Sequence, residues 1–321
     1  MPDSVRRGRR AGLLLPLFSF PSTRSWGIGD IADVVPMTAW LAGAGQHLLQ
    51  LLPLNEMSPA DHSPYSAISA MAIDPIFICV PAVPEFTALG DAALTADDRD
   101  AIDALNRLDR VNYDAVRRIK LRALTTAFER FERAEWRQGT DRSRELRGFL
   151  ASQAWWVDDY ALFRAIRERE GQRSWTEWPD ALRARDPDAL EQTRLELSRE
   201  ILFYQYLQWI ADRQWKEARA GAHANGVSLF GDLPFMVDTD SADVWERQQD
   251  FRLDISIGVP PDQFSETGQD WGMPLYDWDA IGAENFRWLH DRARRSADLY
   301  DGFRVDHPAE NRLLQGLRPC C

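Results

Sequence analysis

The sequence has few of the residues from which structural metal centres are built. Only three of its 321 residues are cysteines. Cys79 lies in an apolar run, whereas Cys320 and Cys321 are adjacent and therefore poorly placed for an unstrained bridge to each other. The pattern excludes a structural zinc cluster and is typical of a reducing compartment such as the cytoplasm.

Positive charge and long hydrophobic runs are also scarce. The chain has 38 Lys and Arg against 50 Asp and Glu, a net charge of −12. Binding to nucleic acid needs clustered cations, so a nucleic-acid partner is not expected. No stretch approaches the roughly 18 apolar residues that span a bilayer, so no membrane association is expected either.

The N-terminus combines charge and apolar character in the order seen in secretory signals. Residues 6–10 are mostly arginine and residues 11–20 mostly apolar. Pro16 interrupts the apolar run, and no small-residue cleavage site follows it. A buried strand over residues 12–18 explains the same residues better, and residues 1–10 are predicted to be disordered.

Four apolar runs predict parallel strands covered on both faces, at residues 12–18, 47–54, 227–237 and 299–305. A helical pattern separates the first two strands. Alternating strands and helices indicate an α/β protein, either a doubly wound sheet or a (β/α)8 barrel. No Gly-x-Gly-x-x-Gly or Walker-type loop follows any of these strands.

Residues 89–223 are rich in Arg, Glu, Ala and Leu at helical spacing, which predicts a long helical insertion. Its last helix is the clearest, because six large apolar residues form one broad face: Ile201, Tyr204, Leu207, Trp209, Ile210 and Trp215. Most of the charge runs in this region are interpreted as solvated helix faces.

Polar residues follow each predicted strand, where both candidate architectures place their functional groups. They lie at residues 25–30, at residues 62–65, at residues 231–234 and 240–245, and at residues 304–307. A long loop at residues 258–272 separates the last two groups. For Asp240 and Ser241, a capping box at the start of the next helix is the simpler interpretation.

Arg304 and Asp306 are two residues apart, so on a strand they project to the same side. The cation would favour the ionised form of the carboxylate, which is what the nucleophile of a retaining glycosidase requires. A strand-end ion pair without further function is the simpler interpretation of the spacing alone.

Tryptophan is abundant, with 13 residues, and some of them fall in or beside the polar segments. Sugar rings stack on indole, so Trp26, Trp245, Trp271 and Trp278 are candidates for binding an uncharged polyol. The acidic character of the chain is compatible with such a substrate.

A series of short motifs runs from about residue 11 to residue 307 and is interrupted by the helical insertion. The motifs are GLLLPLFS (12–19), WGIGD (26–30), AGQ (44–46), QLLPL (50–54), SPY (63–65), GDLP (231–234), DSADVW (240–245), GVPPD (258–262), SETGQ (265–269), WG (271–272), PLY (274–276) and RVDH (304–307). Taken in this order, they resemble the 4-α-glucanotransferases, also called amylomaltases or disproportionating enzymes.

The resemblance implies a (β/α)8 barrel of the α-amylase type that transfers α-1,4-glucan segments between maltodextrins by a retaining double displacement, without metal or organic cofactor. Asp306 matches the nucleophile, Arg304 its partner and His307 a substrate-binding residue. Further positions match family residues that contact donor-site sugars: Ser63, Tyr65, Asp232, Gln269 and Trp271. The alternatives are a glucan-binding protein without turnover and an α-amylase-like hydrolase.

The resemblance also implies a division of the chain. Residues 11–88 and 201–307 would belong to the barrel, with a lid loop at residues 255–272, residues 89–200 to the insertion and residues 308–321 to an atypical tail. Met273 departs from the family, which often has Asn there. The family's acid/base Glu and third catalytic Asp belong beyond Asp306, so only about half of the barrel is expected and the chain alone is predicted to be inactive.

Overall fold

The computed structural model describes residues 10–20, 22–58, 63–259, 261, 263 and 265–306. Predictions for residues 1–9, His62, His307 and the tail at residues 308–321 therefore lie outside the described residues. The strands within the described part are β1 (Gly12–Leu14), β2 (Leu48–Gln50), β3 (Ser228–Leu233), β4 (Phe251–Val259), β5 (Gln269–Tyr276) and β6 (Gly302–Val305).

Four of these strands form one parallel sheet in the order β1-β2-β3-β6. Leu13 lies beside Leu49, and Leu49 beside Leu229, so the apolar runs are in register. The order follows the sequence without the reversal that marks a doubly wound sheet. This arrangement selects the second predicted architecture, with four adjacent strands of a (β/α)8 barrel.

The predicted strands are longer than the observed ones, and not every strand is covered on both faces. Leu13 and Leu14 in β1 are 38% and 50% exposed, and Val305 in β6 is 37% exposed. The prediction of full burial is therefore wrong for β1 and β6, because each pairs with only one neighbour in the sheet. By contrast, Leu49 in β2 and Leu229 in β3 are completely buried.

The stretch predicted as one long loop at residues 258–272 begins and ends within an antiparallel pair of strands. β4 and β5 pair from Phe251 opposite Tyr276 to Val259 opposite Gln269, with irregularities along the ladder. The loop prediction is wrong at its two ends. Alternation there is obscured by Gly258, Gly272 and Pro274, which suggested turns rather than strands.

Helices surround the sheet and fill the long segment between β2 and β3. The α-helices of the described residues are α1 (Val34–Gly43), α2 (Pro84–Thr87), α3 (Ala96–Asn106), α4 (Tyr113–Phe131), α5 (Asp141–Arg169), α6 (Asp180–Arg183), α7 (Pro187–Glu196), α8 (Ser198–Ala224), α9 (Ala242–Glu246), α10 (Trp278–Ala283) and α11 (Arg287–Leu299). No helix in this part of the chain is long and apolar enough to cross a membrane.

The apolar face predicted for α8 is confirmed. Tyr204, Leu207, Trp209, Ile210 and Trp215 are all buried, and Ile201 packs against the same core. Trp215 also donates its indole N–H to the backbone oxygen of Leu299, at 2.7 Å. This helix thus connects the helical segment to the end of α11, directly before the last strand of the sheet.

Buried charges join the helical segment to the chain that follows β2. Glu56 lies 3.3 Å from Arg164 on α5, and Asp74 lies 3.0 Å from Arg117 on α4. Both carboxylates are almost completely buried. Buried carboxylates must be paired to remain charged, so the two arginines fix this chain segment against the helices.

Asp301, directly before β6, holds α8 against the sheet. Its Oδ1 accepts hydrogen bonds from Arg219 Nε at 3.0 Å and His223 Nε2 at 2.9 Å, and its Oδ2 accepts the Leu229 N–H at 2.8 Å. Burial alone would raise the pKa of Asp301, but the hydrogen bonds from His223, Leu229 and Arg219 outweigh it and lower the pKa below its usual value.

Asp301→Asn is expected to lower the free energy of unfolding by about 1–2 kcal/mol at pH 7, because it removes the charge from several hydrogen bonds. A lowered carboxyl pKa contributes stability that is present above about pH 4, the unfolded value, and is lost as the pH falls through the folded value. The variant should therefore lose less stability than the wild type between pH 5 and pH 3.

Urea unfolding at both pH values tests this expectation. Asp298→Asn is the matched control, since Asp298 is an exposed carboxylate three residues away. An Asp301→Asn variant with the stability and acid sensitivity of the Asp298→Asn variant would contradict the role given to Asp301.

Candidate active site

The carboxyl ends of β3 and β6 bring two charged residues together. The parallel register places Asp232 of β3 beside Arg304 of β6. Packing explains why the residue before Asp232 is a glycine. A Cβ on Gly231 would come within 2.3 Å of the Tyr300 ring. Tyr300 thus packs directly on the backbone of β3, next to the residue that carries the charge.

Asp232 is the buried centre of this arrangement. Its side chain has no exposed surface, and its Oδ2 accepts hydrogen bonds from the Tyr65 hydroxyl at 2.8 Å and from Arg304 Nη1 at 3.0 Å. A residue from the loop after β2 and one from β6 are therefore fixed by a single carboxylate. The other oxygen, Oδ1, is buried with no hydrogen-bond partner among the described residues.

Burial and charge shift the pKa values of this pair. Burial raises the pKa of Asp232, and the Tyr65 hydrogen bond and the Arg304 charge only partly oppose it. Burial together with the Asp232 carboxylate raises the pKa of Tyr65 to about 12. The phenol therefore keeps its proton at neutral pH and remains a hydrogen-bond donor.

Asp306 lies directly after β6. Its backbone N–H donates to the Leu233 oxygen at 3.0 Å, which continues the parallel pairing of β3 and β6 by one residue. Arg304 Nη2 donates to Asp306 Oδ1, so the prediction that the two side chains project to the same side is confirmed. Arg304 consequently bridges two carboxylates, Asp232 behind it and Asp306 beside it.

A cavity of about 560 Å³ opens at this point. The volume is within the range of pockets that bind small molecules. Its described lining residues come from the loop after β2, the loop after β3, β5 and the end of β6: Ser63, Tyr65, Ser66, Pro234, Phe235, Met236, Trp271, Met273, Arg304 and Asp306.

Five of the residues predicted from the sequence line this cavity: Ser63, Tyr65, Trp271, Arg304 and Asp306. Ser63 also shapes its own turn, because its Oγ accepts the Tyr65 N–H at 3.3 Å. Asp232 does not line the cavity but lies behind Tyr65 and Arg304. Gln269 is also absent from the lining, although its Oε1 accepts the Trp271 indole N–H at 3.2 Å. His307 lies outside the described residues.

Two of the polar groups predicted at strand ends have structural partners. Asp30 is buried, lies 3.5 Å from Lys120 and accepts the Ala32 N–H. Asp240 pairs with Arg167 at 2.8 Å, and Ser241 caps α9 by accepting the Val244 N–H. The capping interpretation is confirmed for Ser241, whereas Asp240 forms an ion pair and does not cap α9.

Trp26 and Trp245 are not available for stacking on a ligand. Both are buried, Trp26 edge-on to Phe86 and Trp245 against Trp178 and Phe163. The indole N–H of Trp245 donates to the Leu182 oxygen at 2.9 Å. Their prediction as sugar-binding residues is wrong, because proximity to a polar segment does not determine which side of the backbone faces solvent.

Several residues that line the cavity were not predicted from the sequence. Phe235 and Met236 were assigned to the third strand, but β3 ends at Leu233 and both residues belong to the loop that follows it. Pro234 was the available signal, because proline cannot donate a ladder hydrogen bond and commonly ends a strand. Ser66, next to the SPY motif, had no distinguishing signal.

A family profile, curated sequences and solved structures all relate this chain to the same family. A family profile described as 4-alpha-glucanotransferase matches residues 15–309. A 4-alpha-glucanotransferase of Synechocystis sp. is 36% identical over 93% of this chain, and that of Thermus thermophilus 34% identical over 93%. The solved amylomaltase from Streptococcus agalactiae in complex with acarbose matches with a TM-score of 0.81 and 31% identity over 94% of this chain.

The matched regions are only part of those proteins. They make up 58% of each of the two curated relatives and 59% of the solved chain. The chain thus spans little more than half the length of the relatives it matches.

Tyr65→Phe should isolate the contribution of the phenol hydroxyl. Because the Asp232 carboxylate is buried, loss of one donor is expected to lower the free energy of unfolding by about 1–2 kcal/mol. Urea unfolding measures the change. In a double-mutant cycle, the same substitution in an Asp232→Asn background should have a much smaller effect. Equal effects in both backgrounds would show that the hydroxyl acts independently of Asp232.

Proposed function

The chain belongs to the 4-alpha-glucanotransferase family, and from that premise we propose that it transfers α-1,4-glucan segments between maltodextrins by a retaining double displacement. The cavity at the ends of β3 and β6 would bind the donor glucan. One observation carries the proposal: Asp306 lines a cavity large enough for sugar rings and is held there by Arg304, which is itself paired with a buried carboxylate.

Asp306 has the chemistry of a nucleophile. In a retaining transfer, a carboxylate oxygen attacks C1 of the donor sugar, the bond from C1 to the leaving oxygen breaks, and a glycosyl-enzyme forms. An acceptor hydroxyl then attacks C1 and releases the carboxylate. Arg304 would keep the Asp306 oxygens in position for both steps.

The remaining lining residues suit donor binding. Trp271 offers a flat apolar face for a sugar ring, and Ser63 and Tyr65 lie on the same cavity with hydroxyl groups. Gln269 would orient Trp271 through the hydrogen bond to its indole, and Asp232 would position Tyr65 and Arg304 without touching the sugar. His307 keeps the substrate-binding role that the family resemblance predicts for it.

A retaining reaction also needs a carboxylic acid roughly 5 Å from the nucleophile, to protonate the leaving oxygen and later deprotonate the acceptor. Among the described residues that line the cavity, Asp306 is the sole carboxylate. The roles assigned to the described residues are therefore donor binding and nucleophilic attack.

The products formed from maltotriose distinguish the candidate functions. Transfer predicts a ladder of longer oligomers together with glucose, hydrolysis predicts short products only, and a binding protein forms no products.

We propose that the protein lies in the cytoplasm, because Cys79 is a free and buried thiol. Its acidic net charge also supports the proposal that it has no nucleic-acid partner.

Asp306→Asn is expected to abolish formation of a glycosyl-enzyme while leaving glucan binding nearly unchanged. The suitable probe is a 5-fluoro-α-maltosyl fluoride, because fluoride leaves with the C1–F electron pair without needing a proton. Intact mass spectrometry should show one added glycosyl group on the wild type, and peptide mapping should place it on Asp306. A label on another carboxylate would contradict the assignment of Asp306 as the nucleophile. So would the absence of any label on a wild-type protein that still binds maltotetraose.

Trp271→Ala is expected to raise the Kd for maltotetraose by about threefold to tenfold, the usual value of one stacked aromatic ring. Tyr65→Ala should weaken binding similarly. Titration calorimetry measures both. Trp40→Ala is the control, because Trp40 is 62% exposed on α1 and does not line the cavity. Equal affinities for the Trp271 and Trp40 variants would remove Trp271 from the binding site.

A further inference from the structure

The lining of the cavity has two chemically different parts. Ser63, Tyr65, Ser66, Arg304 and Asp306 carry hydroxyl, guanidinium or carboxylate groups. The other part, here called the apolar wall, consists of residues from the loop after β3 and from β5: Pro234, Phe235, Met236, Trp271 and Met273.

Trp271 and Met273 both line the cavity from β5, on either side of Gly272, where the ladder with β4 is irregular. The loop after β3 is held against this strand. Thr239 Oγ1 donates to the Gly272 oxygen at 2.7 Å, and the Tyr276 hydroxyl donates to the Phe235 oxygen at 2.6 Å. The apolar wall is therefore assembled from two segments that are hydrogen-bonded to each other.

Several polar atoms of the apolar wall already have partners within the protein. The Phe235 oxygen accepts from both Arg292 Nη1, at 2.6 Å, and the Tyr276 hydroxyl, and the Pro234 oxygen accepts from Arg292 Nη2. The Trp271 N–H donates to Gln269. Arg292 is buried, and its hydrogen bonds satisfy these two backbone oxygens. The side chains that the apolar wall contributes to the cavity are aromatic, thioether and proline groups.

Apart from Trp271, on which a sugar ring can stack, the apolar wall is a poor match for a glucan. A sugar hydroxyl buried against thioether and aromatic carbon loses hydrogen bonds to water and gains none in return. An apolar group placed there gains from leaving water, and methionine side chains adapt readily to its shape. The polar lining and the apolar wall together suit a ligand that is a sugar at one end and apolar at the other.

We propose that the apolar wall binds the apolar aglycone of aryl and alkyl α-glucosides, and that Met273 determines this preference. The inference rests on the proposed function, because the sugar part of such a ligand would occupy the glucan site next to Asp306. The substrate class is thus extended from maltodextrins to α-glucosides of phenols and alcohols.

The test compares two ligands with the same disaccharide, phenyl α-maltoside and methyl α-maltoside, by calorimetry on the full chain. The phenyl compound is expected to bind about tenfold more tightly, which corresponds to roughly 55 Å² of additional buried apolar surface. Its binding should also have the more negative heat-capacity change. Phenyl β-galactoside serves as the control for non-specific binding of the ring.

Met273→Asn puts hydrogen-bonding groups into the apolar wall and is expected to reduce the preference to about threefold or less. Met273→Leu keeps the apolar volume and should retain it, which also guards against misfolding of the Asn variant. Met37→Asn is the matched control, because Met37 is a similarly half-buried methionine on α1, outside the cavity.

Each outcome has a distinct meaning. Equal affinity of the wild type for the two maltosides would overturn this inference while leaving the proposed function intact. Binding of neither maltoside nor maltotetraose would overturn both. A preference that persists in Met273→Asn, or is lost equally in Met273→Leu, would overturn the role given to Met273.

Discussion

The candidate site depends on one buried carboxylate. Asp232 has no exposed side-chain surface, and a buried charge without partners is strongly unfavourable. Its partners are Tyr65, more than 160 residues earlier in the chain, and Arg304 on the neighbouring strand. Because Asp232 fixes both, it also fixes what they contact, so that Arg304 can hold Asp306 at the cavity. The loop after β2, strand β3 and strand β6 therefore meet at Asp232. Among the described residues that line the cavity, Tyr65 and Arg304 are the two that hydrogen-bond to it.

The parallel register is what places Arg304 beside Asp232, and elements outside the site maintain that register. Tyr300 packs on Gly231, and Asp301 receives hydrogen bonds from α8 and from the backbone of β3. These two residues lie directly before β6, so they set where the strand begins. A shift of β6 along β3 would separate Arg304 from Asp232 and Asp306 from the cavity.

What the sequence could predict is local. The strands, α8 and the pairing of Arg304 with Asp306 follow from short spacings, and the strand-end rule located half of the described lining residues. Contacts between distant segments could not be predicted from the sequence. Nothing in the order of residues indicates that Tyr65 covers Asp232, or that Trp26 and Trp245 face the core. The β4–β5 pair was missed because glycine and proline obscure its alternation, and with it the position of Met273 on the cavity.

The different chemistry of the two parts of the lining bears on how a glycosyl-enzyme at Asp306 would react. A water molecule needs two to four polar partners to be held in place, and the apolar wall, whose carbonyls are taken by Arg292 and Tyr276, supplies few. A sugar or glucoside acceptor can instead be held by its apolar face, with one hydroxyl directed to C1. Under the proposed mechanism, an apolar wall beside a paired carboxylate would favour transfer over hydrolysis, because it would hold acceptors longer than it holds water.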